Sequence, residues 1–391
     1  AVNHASTEDT ILVSQGVYYE NVVVNKSVSI VGESPNTTIV DGRGLESAFY
    51  VNTDNVVISG FTIRNGYSGV WLFNANNCTV NGNNANNNAY GIKLYHSYDS
   101  IISGNNVNNN KWFGVTLDYS GSCTLRNNSM AGNNFNFGVD GDTLFDFVSD
   151  IDTSNTVDKK PIRYLINQHN LTVDSSTFSE IGYLAFINST DIDVKDLKLS
   201  NNFQGILFAY TSNSTMNGVD TTNNWYGIHL KNSVNCKVEG NNASNNFDYG
   251  IALRTSVSCI VSKNNVSNNN WGGISLGFCS NCAITENVVS NHYYGIHLVD
   301  STNCIVARND VSTTNNGYSI VLYRSNYNTI YHNSFVNHFI YAYARSNNAW
   351  DNGLEGNCWK NYGGTDADHD GIGDTPYILD EGNKDNYPLM G

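Results

Sequence analysis

The chain has 391 residues and a formal net charge of −15 at pH 7, and only 14% of its residues are charged. Binding to nucleic-acid phosphates depends on Lys and Arg, and the longest basic run is Lys159–Lys160, so the composition argues against a nucleic-acid partner. No segment approaches the roughly 20 consecutive apolar residues of a membrane-spanning helix, so we expect no transmembrane segment.

The first 60 residues predict short β-strands. Apolar residues alternate or run together at 11–13, 22–24, 28–31 and 38–40, and Gly, Asn and Ser stand between these segments. Strands of three or four residues separated by turn formers have this pattern, and a helical period is absent. We expect a cap for the N-terminal end near residues 1–20.

A repeat of about 22 residues dominates the sequence that follows. Its signature is glycine, an apolar residue, any residue and a second apolar residue. Copies begin at Gly69, Gly91, Gly114, Gly205, Gly227, Gly250, Gly273 and Gly295. Each copy is followed by two further short segments, the second of them rich in Asn, so each repeat predicts three strands. Because hairpin signals are absent, the pattern favours an all-β parallel solenoid of about 15 coils of 22–24 residues.

Equivalent residues of successive coils stack on one another in such a solenoid. Asn side chains at the bends are therefore expected to hydrogen-bond from coil to coil. Six Cys share one repeat position, and strand alternation turns them toward the core. These are Cys78, Cys123, Cys236, Cys259, Cys282 and Cys304. Metal or disulfide chemistry is the alternative, and Cys279 and Cys358, which lie off this ladder, are the candidates for a disulfide.

Outward residues of the glycine-containing strands are candidates for catalysis. Asp118 follows Lys93 by about one coil, and Arg254 follows His229 by about one coil. Carboxylates combined with a cationic side chain can cleave polysaccharides by acid–base chemistry. Neither set contains the two carboxylates expected of a glycoside hydrolase. A polar, solvated strand face is the alternative.

Aromatic residues recur just before the repeat glycine and are candidates for glycan binding. Flat rings present a large contact area to a sugar at a small entropic cost. An aromatic ladder that packs on itself at a corner is the alternative. The candidates are Trp112, Trp225, Tyr226, Trp271 and Tyr294.

The repeat pattern is lost near residues 139–181, although this interval has the length of two coils. An excursion from a rigid scaffold often carries a binding function. Two irregular coils are the alternative interpretation. We therefore predict a β-helix over residues 1–355, interrupted near 139–181, and a C-terminal capping segment over residues 356–391.

The C-terminal segment contains a candidate calcium loop. Asp366, Asp368, Asp370 and Asp374 stand at positions 1, 3, 5 and 9 of the loop, and Gly371 stands at position 6. Hard oxygen ligands at alternate positions can surround one Ca²⁺ while the glycine permits the sharp turn. Tyr377 at position 12 excludes an EF-hand. A solvated acidic loop is the alternative.

These features resemble the right-handed parallel β-helix proteins of the pectin-lyase-like superfamily. The opening coils, 11–24, 28–32, 38–42 and 55–63, are similar to the NosD-like group, which includes periplasmic copper-site maturation proteins and archaeal surface proteins. The tail, with Asn357-Cys-Trp and 366–374, is similar to archaeal surface-layer-type members. The resemblance implies a single-stranded right-handed parallel β-helix and leaves the function open, because one fold hosts many functions.

The expected function is that of a secreted or cell-envelope protein without catalysis. It would be a surface-layer, sheath or adhesin-like component that binds a polysaccharide or cell-surface glycan and self-assembles with like subunits, since unpaired strand edges invite partners. A calcium-assisted polysaccharide lyase or glycoside hydrolase is the first alternative. A copper-handling protein that uses Cys and His, as the NosD-like resemblance implies, is the second alternative.

Overall fold

The structure is a computed structural model that describes residues 1–44, 46–314, 316–336, 339–342, 346–380 and 382–391, with the backbone alone at 339–342. It confirms the predicted all-β parallel β-helix of about 15 coils. The chain divides into two compact units. Unit 1 comprises Ala1–Ile166, Glu180–Ile187 and Asn201–Phe203. Unit 2 comprises Asn167–Ser179, Asn188–Ser200 and Gln204–Gly391.

Each coil of unit 1 contributes one strand to each of three sheets, which we call sheets A, B and C. Sheet A contains Thr10–Val13, Ser29–Gly32, Val57–Ser59, Thr79–Asn81, Ile101–Ser103, Thr124–Arg126 and Asp150–Ile151. Sheet B contains Gly16–Tyr18, Thr38–Asp41, Thr62–Arg64, Asn84–Asn86, Asn106–Asn108, Ser129–Ala131, Thr156–Val157, Lys160–Ile166 and Tyr183–Ile187. Sheet C contains Val22–Val24, Phe49–Val51, Ser68–Phe73, Tyr90–Tyr95, Phe113–Asp118 and Phe135–Asp140.

Unit 2 repeats this arrangement with sheets D, E and F. Sheet D contains Gln204–Ala209, Tyr226–Lys231, Tyr249–Arg254, Gly272–Gly277, Tyr294–Val299, Tyr318–Tyr323 and Phe339–Ala342. Sheet E contains His169–Val173, Thr190–Lys195, Thr215–Asn217, Lys237–Glu239, Ile260–Ser262, Ala283–Thr285, Ile305–Ala307 and Thr329–Tyr331. Sheet F contains Lys198–Ser200, Asp220–Thr222, Asn242–Ser244, Asn265–Ser267, Val288–Ser290, Asp310–Ser312, Ser334–Phe335 and Cys358–Trp359.

The remaining elements are short. A 3₁₀-helix spans Val2–His4, and an α-helix spans Leu144–Phe147 within the interval where the repeat pattern is lost. An antiparallel pair of Tyr377–Ile378 and Lys384–Asp385 lies in the C-terminal segment. In the described part of the chain, no helix is long and apolar enough to cross a membrane.

Register explains why the glycine of the repeat is needed. Ile92 pairs with Val70 on one side and Val115 on the other, so apolar residues form columns in the core. A Cβ atom added at Gly91 would lie 2.2 Å from Val107 Cγ1 and 2.6 Å from the Gly114 carbonyl oxygen. No side chain fits there, and glycine lets consecutive strands approach closely at the corner.

The predicted Asn ladders are present at the bends. In unit 1, Asn105 Oδ1 accepts hydrogen bonds from the backbone N–H and the side-chain amide of Asn83, at 3.0 and 3.2 Å. In unit 2 the ladder from Asn241 ends at Asp385, whose Oδ2 accepts from the backbone N–H of Asn357 at 2.7 Å. Each ladder satisfies backbone donors that the turns would otherwise leave unpaired inside the coil.

The predicted inward orientation of the six repeat Cys is confirmed. All six are buried, and none of them forms a disulfide. Burial raises the pKa of the Cys78 thiol to about 11 and that of the Cys123 thiol to about 12, as expected for inert core thiols. Cys279 lies off this ladder, as predicted, because its coil-to-coil partner is Ser301, whose Oγ accepts from the Cys279 backbone N–H at 3.0 Å. Cys279 and Cys358 are both free, so neither forms the predicted disulfide within the chain.

Candidate functional site

The outer surface of sheet C presents two columns of side chains, one residue per coil, which we call the sheet C face. Strand register places these residues beside one another on neighbouring strands. The first column comprises Tyr50, Trp71, Lys93, Thr116 and Gly138, and the second comprises Phe73, Tyr95, Asp118 and Asp140.

Aromatic rings form a continuous strip at one end of the sheet C face. The Trp71 ring lies 5.2 Å from the Tyr50 ring and 5.5 Å from the Phe73 ring, between centroids. Phe73 and Tyr95 stack at 5.6 Å with planes only 4° apart. These rings are half-buried, so each keeps part of its surface open to solvent. The sequence analysis missed Tyr50 and Phe73 because neither lies just before a repeat glycine.

Lys93 lies at the centre of the sheet C face. Its Nζ is 4.9 Å from the Tyr90 ring centroid and 5.6 Å from the Trp71 ring centroid, within range of cation–π attraction. The same Nζ is 3.9 Å from Asp118 Oδ2. The structure thus brings together Lys93 and Asp118, the first pair of catalytic candidates from the sequence.

Asp118 has a second carboxylate beside it, which the sequence analysis did not assign to this face. Asp140 occupies the equivalent position one coil on. Burial raises the pKa of Asp118 to about 7, Lys93 opposes this shift, and Asp140 adds to it. The repeat spacing from Asp118 to Asp140 was the available signal, and it was overlooked because Asp140 was assigned to the excursion.

The first column also holds two buried polar groups without a hydrogen-bond partner in the described part of the chain. They are Trp71 Nε1 and Thr116 Oγ1, on either side of Lys93. Leaving buried polar groups unpaired costs free energy, and such groups are uncommon in native structures. The column ends at Gly138, where an added Cβ would lie 2.2 Å from Phe203 Cβ, so Phe203 closes this end of the face.

The second pair of catalytic candidates lies on sheet D in unit 2. His229 is 5% exposed, and its ring is 4.8 Å from that of Tyr226. His229 pairs in register with Ala252, whereas the exposed Arg254 pairs with Lys231, which is itself 1% exposed. Because His229, Ala252 and Lys231 are all buried, little open surface remains around His229.

The aromatic candidates from the sequence mostly contact other rings. Trp225 donates a hydrogen bond to Asp248 Oδ2 at 3.2 Å and packs on Phe247. Tyr294 stacks on Tyr318 at 5.9 Å. Trp271 is 49% exposed and lies in contact with Tyr294. Trp112 is half-buried, with Lys111 Nζ 6.0 Å from its ring centroid. Ring-on-ring packing of this kind matches the corner-ladder alternative.

Tyr249 and His297 form another polar contact on sheet D. Tyr249 Oη and His297 Nδ1 are 2.6 Å apart, and the His297 ring stacks against Tyr294 at 4.9 Å. Burial lowers the pKa of His297 to about 4, so its imidazole is neutral at physiological pH.

The candidate calcium loop brings three carboxylates together. The ligand oxygens of Asp366, Asp368 and Asp370 lie within 4.8 Å of one another. The fourth candidate, Asp374, uses Oδ2 to accept hydrogen bonds from Thr365 Oγ1 at 3.1 Å and from the Ala367 backbone N–H at 3.0 Å. The three clustered carboxylates are a donor set of the type that Ca²⁺ takes.

A thiol cluster lies in the core of unit 2. The thiols of Cys259, Cys279 and Cys304 surround that of Cys282. Their interactions with Cys282 lower its pKa, and the interaction with Cys259 has the largest effect. The pKa values of the other three thiols are raised. Interaction with neighbouring Cys thiols is the largest cause, and burial is the next.

Comparison with protein families finds one match. The profile described as "Periplasmic copper-binding protein (NosD)" covers residues 2–140 and 152–364, which is most of the chain. A comparison with curated proteins finds no match.

Comparison with solved structures finds β-helix proteins at low identity. The mannuronan C-5 epimerase AlgE6 A-module of Azotobacter vinelandii is 12% identical, with 89% of this chain and 91% of that chain covered and a TM-score of 0.33. PfbA, a surface adhesin of Streptococcus pneumoniae, is 13% identical, with 97% and 92% covered and a TM-score of 0.35. The tailspike gp49 of Acinetobacter baumannii bacteriophage Fri1, a capsular polysaccharide depolymerase, is 11% identical, with 80% and 57% covered and a TM-score of 0.32. These likenesses concern the fold alone.

Proposed function

The chain belongs to the NosD family of right-handed parallel β-helix proteins, and from that premise we propose that it binds polysaccharide through the sheet C face. The observation that carries the proposal is the strip of half-buried rings that meets Lys93, Asp118 and Asp140. Rings stack on the apolar faces of sugars, and the charged groups hydrogen-bond to hydroxyls. Stacked strands hold these groups at the coil spacing of ~4.8 Å, close to the size of one sugar ring.

We place this activity at the cell envelope or outside the cell. The supporting observation is the periplasmic description of the family. There the protein acts as a structural surface component of the surface-layer, sheath or adhesin type. Self-assembly with like subunits is part of this proposal, and concentration-dependent sedimentation measures it.

The test is a binding measurement with two matched variants. Trp71→Ala removes the central ring of the strip, whereas Trp271→Ala removes an exposed indole from sheet D. Affinity electrophoresis against neutral and uronate-containing polysaccharides identifies a ligand for the native protein. We expect Trp71→Ala to weaken binding by about 10- to 100-fold, in keeping with 1–3 kcal/mol for a stacking aromatic. Trp271→Ala is expected to bind like the native protein, and the reverse result overturns the assignment to sheet C.

Cleavage of the bound polysaccharide is a second candidate, and the Asp118–Asp140 pair favours it. A carboxyl group with a pKa near 7 can donate a proton to a glycosidic oxygen, while a neighbouring carboxylate acts as base or nucleophile. Release of reducing ends or unsaturated products, measured with calcium and with chelator, tests this candidate. Turnover that survives in both Asp118→Ala and Asp140→Ala would place any cleavage elsewhere.

Copper handling is a third candidate, and the thiol cluster around Cys282 favours it. Thiols are soft ligands that suit Cu(I), and Cys282 has three thiol neighbours. Anaerobic Cu(I) titration of the native protein and Cys282→Ser, followed by the thiolate-to-metal absorption band, tests this candidate. Equal copper uptake by both proteins removes the cluster from consideration.

A further inference from the structure

A second feature of unit 1 lies at the corner where the chain passes from sheet B to sheet C. Four consecutive coils line an open surface pocket of about 600 Å³ there, which we call the corner pocket. Its lining follows the sheet B strands and precedes the sheet C strands that carry Tyr50, Trp71, Lys93 and Thr116. The lining includes Arg43, Gly44, Asn65, Tyr67, Asn87 and Lys111.

The corner pocket contains two cationic side chains in an acidic protein. Lys and Arg together number 20 against 35 Asp and Glu. Within the described part of the chain, neither Arg43 nor Lys111 has a carboxylate within 4.0 Å. The Arg43 guanidinium lies instead 4.8 Å from the Tyr19 ring centroid, and Lys111 Nζ lies over Trp112.

The acid nearest to Arg43 in sequence is already neutralised. Asp41 Oδ2 accepts hydrogen bonds from Arg64 Nε at 3.0 Å and from Asn65 Nδ2 at 2.9 Å, and Asp41 Oδ1 accepts from the Arg43 backbone N–H at 3.2 Å. Asp41 is therefore saturated by neighbours other than the Arg43 guanidinium. The charge of that guanidinium remains available to a ligand.

The pocket also offers groups that suit a sugar. Tyr67 is 45% exposed, so one side of its ring is open to stacking. The Asn87 side-chain amide is exposed and makes no hydrogen bond within the described residues, so it can both donate to and accept from hydroxyl groups. The Tyr67 ring contacts the Tyr90 ring at 5.3 Å, and Lys93 lies over Tyr90, so the corner pocket adjoins the sheet C face.

We propose that the corner pocket binds an acidic oligosaccharide, with carboxylates or sulfates of different sugars held by Arg43 at one end and by Lys111 three coils on, and with a sugar ring against Tyr67. This inference rests on the proposed function and deepens it, since it names the charge class of the polysaccharide. Two cations without a carboxylate partner among the described residues bind an external anion without breaking an ion pair. A polysaccharide that continues from the pocket onto the sheet C face then carries acidic groups on some of its sugars.

The test compares three oligosaccharides that differ only at C6. Cellohexaose, its C6-carboxylated form and its C6-sulfated form are titrated calorimetrically against the native protein, Trp71→Ala and the double variant Arg43→Gln/Lys111→Gln. The native protein is expected to bind at least one acidic hexamer about 10-fold or more tightly than cellohexaose, and added salt is expected to reduce that preference. The arm that binds more tightly distinguishes carboxylate from sulfate.

The double variant separates the two proposals. Arg43→Gln/Lys111→Gln is expected to lose the preference for acidic hexamers while keeping its affinity for cellohexaose, whereas Trp71→Ala weakens binding of all three. The matched control is Lys360→Gln/Lys384→Gln, which removes the same charge at two exposed sites in the C-terminal segment. Circular dichroism checks folding, and Lys111→Gln alone replaces the double variant if that protein is unfolded.

Three results would overturn the inference. If the native protein binds neutral and acidic hexamers with equal affinity, the proposed anion site is refuted, but the proposal for the sheet C face is retained. Retention of the preference in Arg43→Gln/Lys111→Gln, or its equal loss in the control, places the charge recognition elsewhere. Failure of the native protein to bind any hexamer overturns the corner-pocket inference, whereas the proposed function fails only if the polysaccharide panel also yields no ligand.

Discussion

The first outward columns of sheets C and D differ in their side chains. In unit 1 the sheet C column comprises Tyr50, Trp71, Lys93 and Thr116. In unit 2 the equivalent sheet D column comprises Leu207, His229, Ala252, Ser275 and His297. The inward residues of the two sheets are interchangeable aliphatic side chains in matching register. Only the outward residues differ, and in unit 1 they combine rings with charge, whereas in unit 2 several are buried or small. The difference shows that the repeat fixes the scaffold and leaves the chemistry to one position per coil.

The ends of the Asn ladders give the largest predicted difference between the units. Asp385 in unit 2 accepts hydrogen bonds from the Asn357 backbone at 2.7 Å and from Trp359 Nε1 at 2.8 Å, and all three residues are buried. Asp385→Leu leaves these donors unpaired, so we expect the free energy of unfolding to fall by about 4 kcal/mol.

The unit 1 ladder ends at Asn155, whose uncharged side-chain Oδ1 accepts from the backbone N–H and the side-chain amide of Asn128. Asn155→Ala is expected to cost about 2 kcal/mol. Urea denaturation followed by tryptophan fluorescence measures both losses. Equal losses would show that the Asp385 carboxyl group stabilises the end of its ladder no more than the Asn155 amide does.

The buried carboxyl of Asp118 predicts a pH-dependent difference. Because its pKa rises from 3.8 to about 7 in the folded protein, the folded chain holds this proton more tightly than the unfolded chain does. The resulting stability is present below about pH 4 and is lost as the pH rises toward about 7. Asp118→Asn cannot ionise, so above pH 7 it is expected to exceed the native protein in unfolding free energy by about 1–4 kcal/mol.

Urea denaturation at pH 4 and pH 8 measures this difference, which should vanish at the lower pH. Asp248→Asn in unit 2 is the matched variant, because burial also raises the pKa of Asp248. Hydrogen bonds from Tyr226 and Trp225 oppose that rise, and the N–H of Trp225 is 3.2 Å from Asp248. A smaller gain is expected for Asp248→Asn. A gain for Asp118→Asn that is the same at both pH values would contradict the assigned titration.

Lys93 predicts a smaller effect on the same carboxyl. Since Lys93 lowers the pKa of Asp118, Lys93→Met is expected to raise that pKa by about 1 unit above its native value. Carboxyl ¹³C NMR titration of selectively labelled protein measures the shift. The unit 2 counterpart is Lys263→Met beside Glu239, where Lys237 remains as a second cation, so the Glu239 shift should be smaller. An unchanged Asp118 titration would show that the 3.9 Å contact does not persist in solution.

Calcium gives the smallest predicted difference and concerns unit 2 alone. We propose that Asp366, Asp368 and Asp370 bind Ca²⁺, and saturating calcium is then expected to raise the unfolding temperature by about 2–4 °C relative to chelator. Asp366→Asn/Asp370→Asn is expected to abolish this shift. Equilibrium dialysis that finds no calcium retained by the native protein would refute the proposal.

Much of the fold could be predicted because each coil requires particular residue types at the same positions. The glycine at Gly91 is required by a contact that leaves no room for a side chain, and Asn83 and Asn105 bond across coils at equivalent positions. Such local requirements recur in each coil and therefore appear in the sequence as a period.

The candidate site was less predictable, because its members are not themselves periodic. Lys93 and Asp118 were identified from the repeat, whereas Tyr50, Phe73 and Asp140 were missed. Tyr50 lies in a coil that has Ala48 instead of the repeat glycine. Phe73 lies in a column whose residue type changes from coil to coil. His229 was assigned to an outward face, but its burial depends on contacts made by the folded chain, which a strand pattern does not contain.

The sequence by itself determined the coil: three strands, a glycine at one corner, Asn at the bends and apolar columns within. Each of these follows from stacking like residues at a fixed spacing, which is a local constraint. Tertiary structure alone decided which outward positions stay open, which carboxyl groups are neighbours, and which two cations have no carboxylate partner among the described residues. Those properties depend on solvent exposure and on distances between coils, and both exist only after the chain has folded.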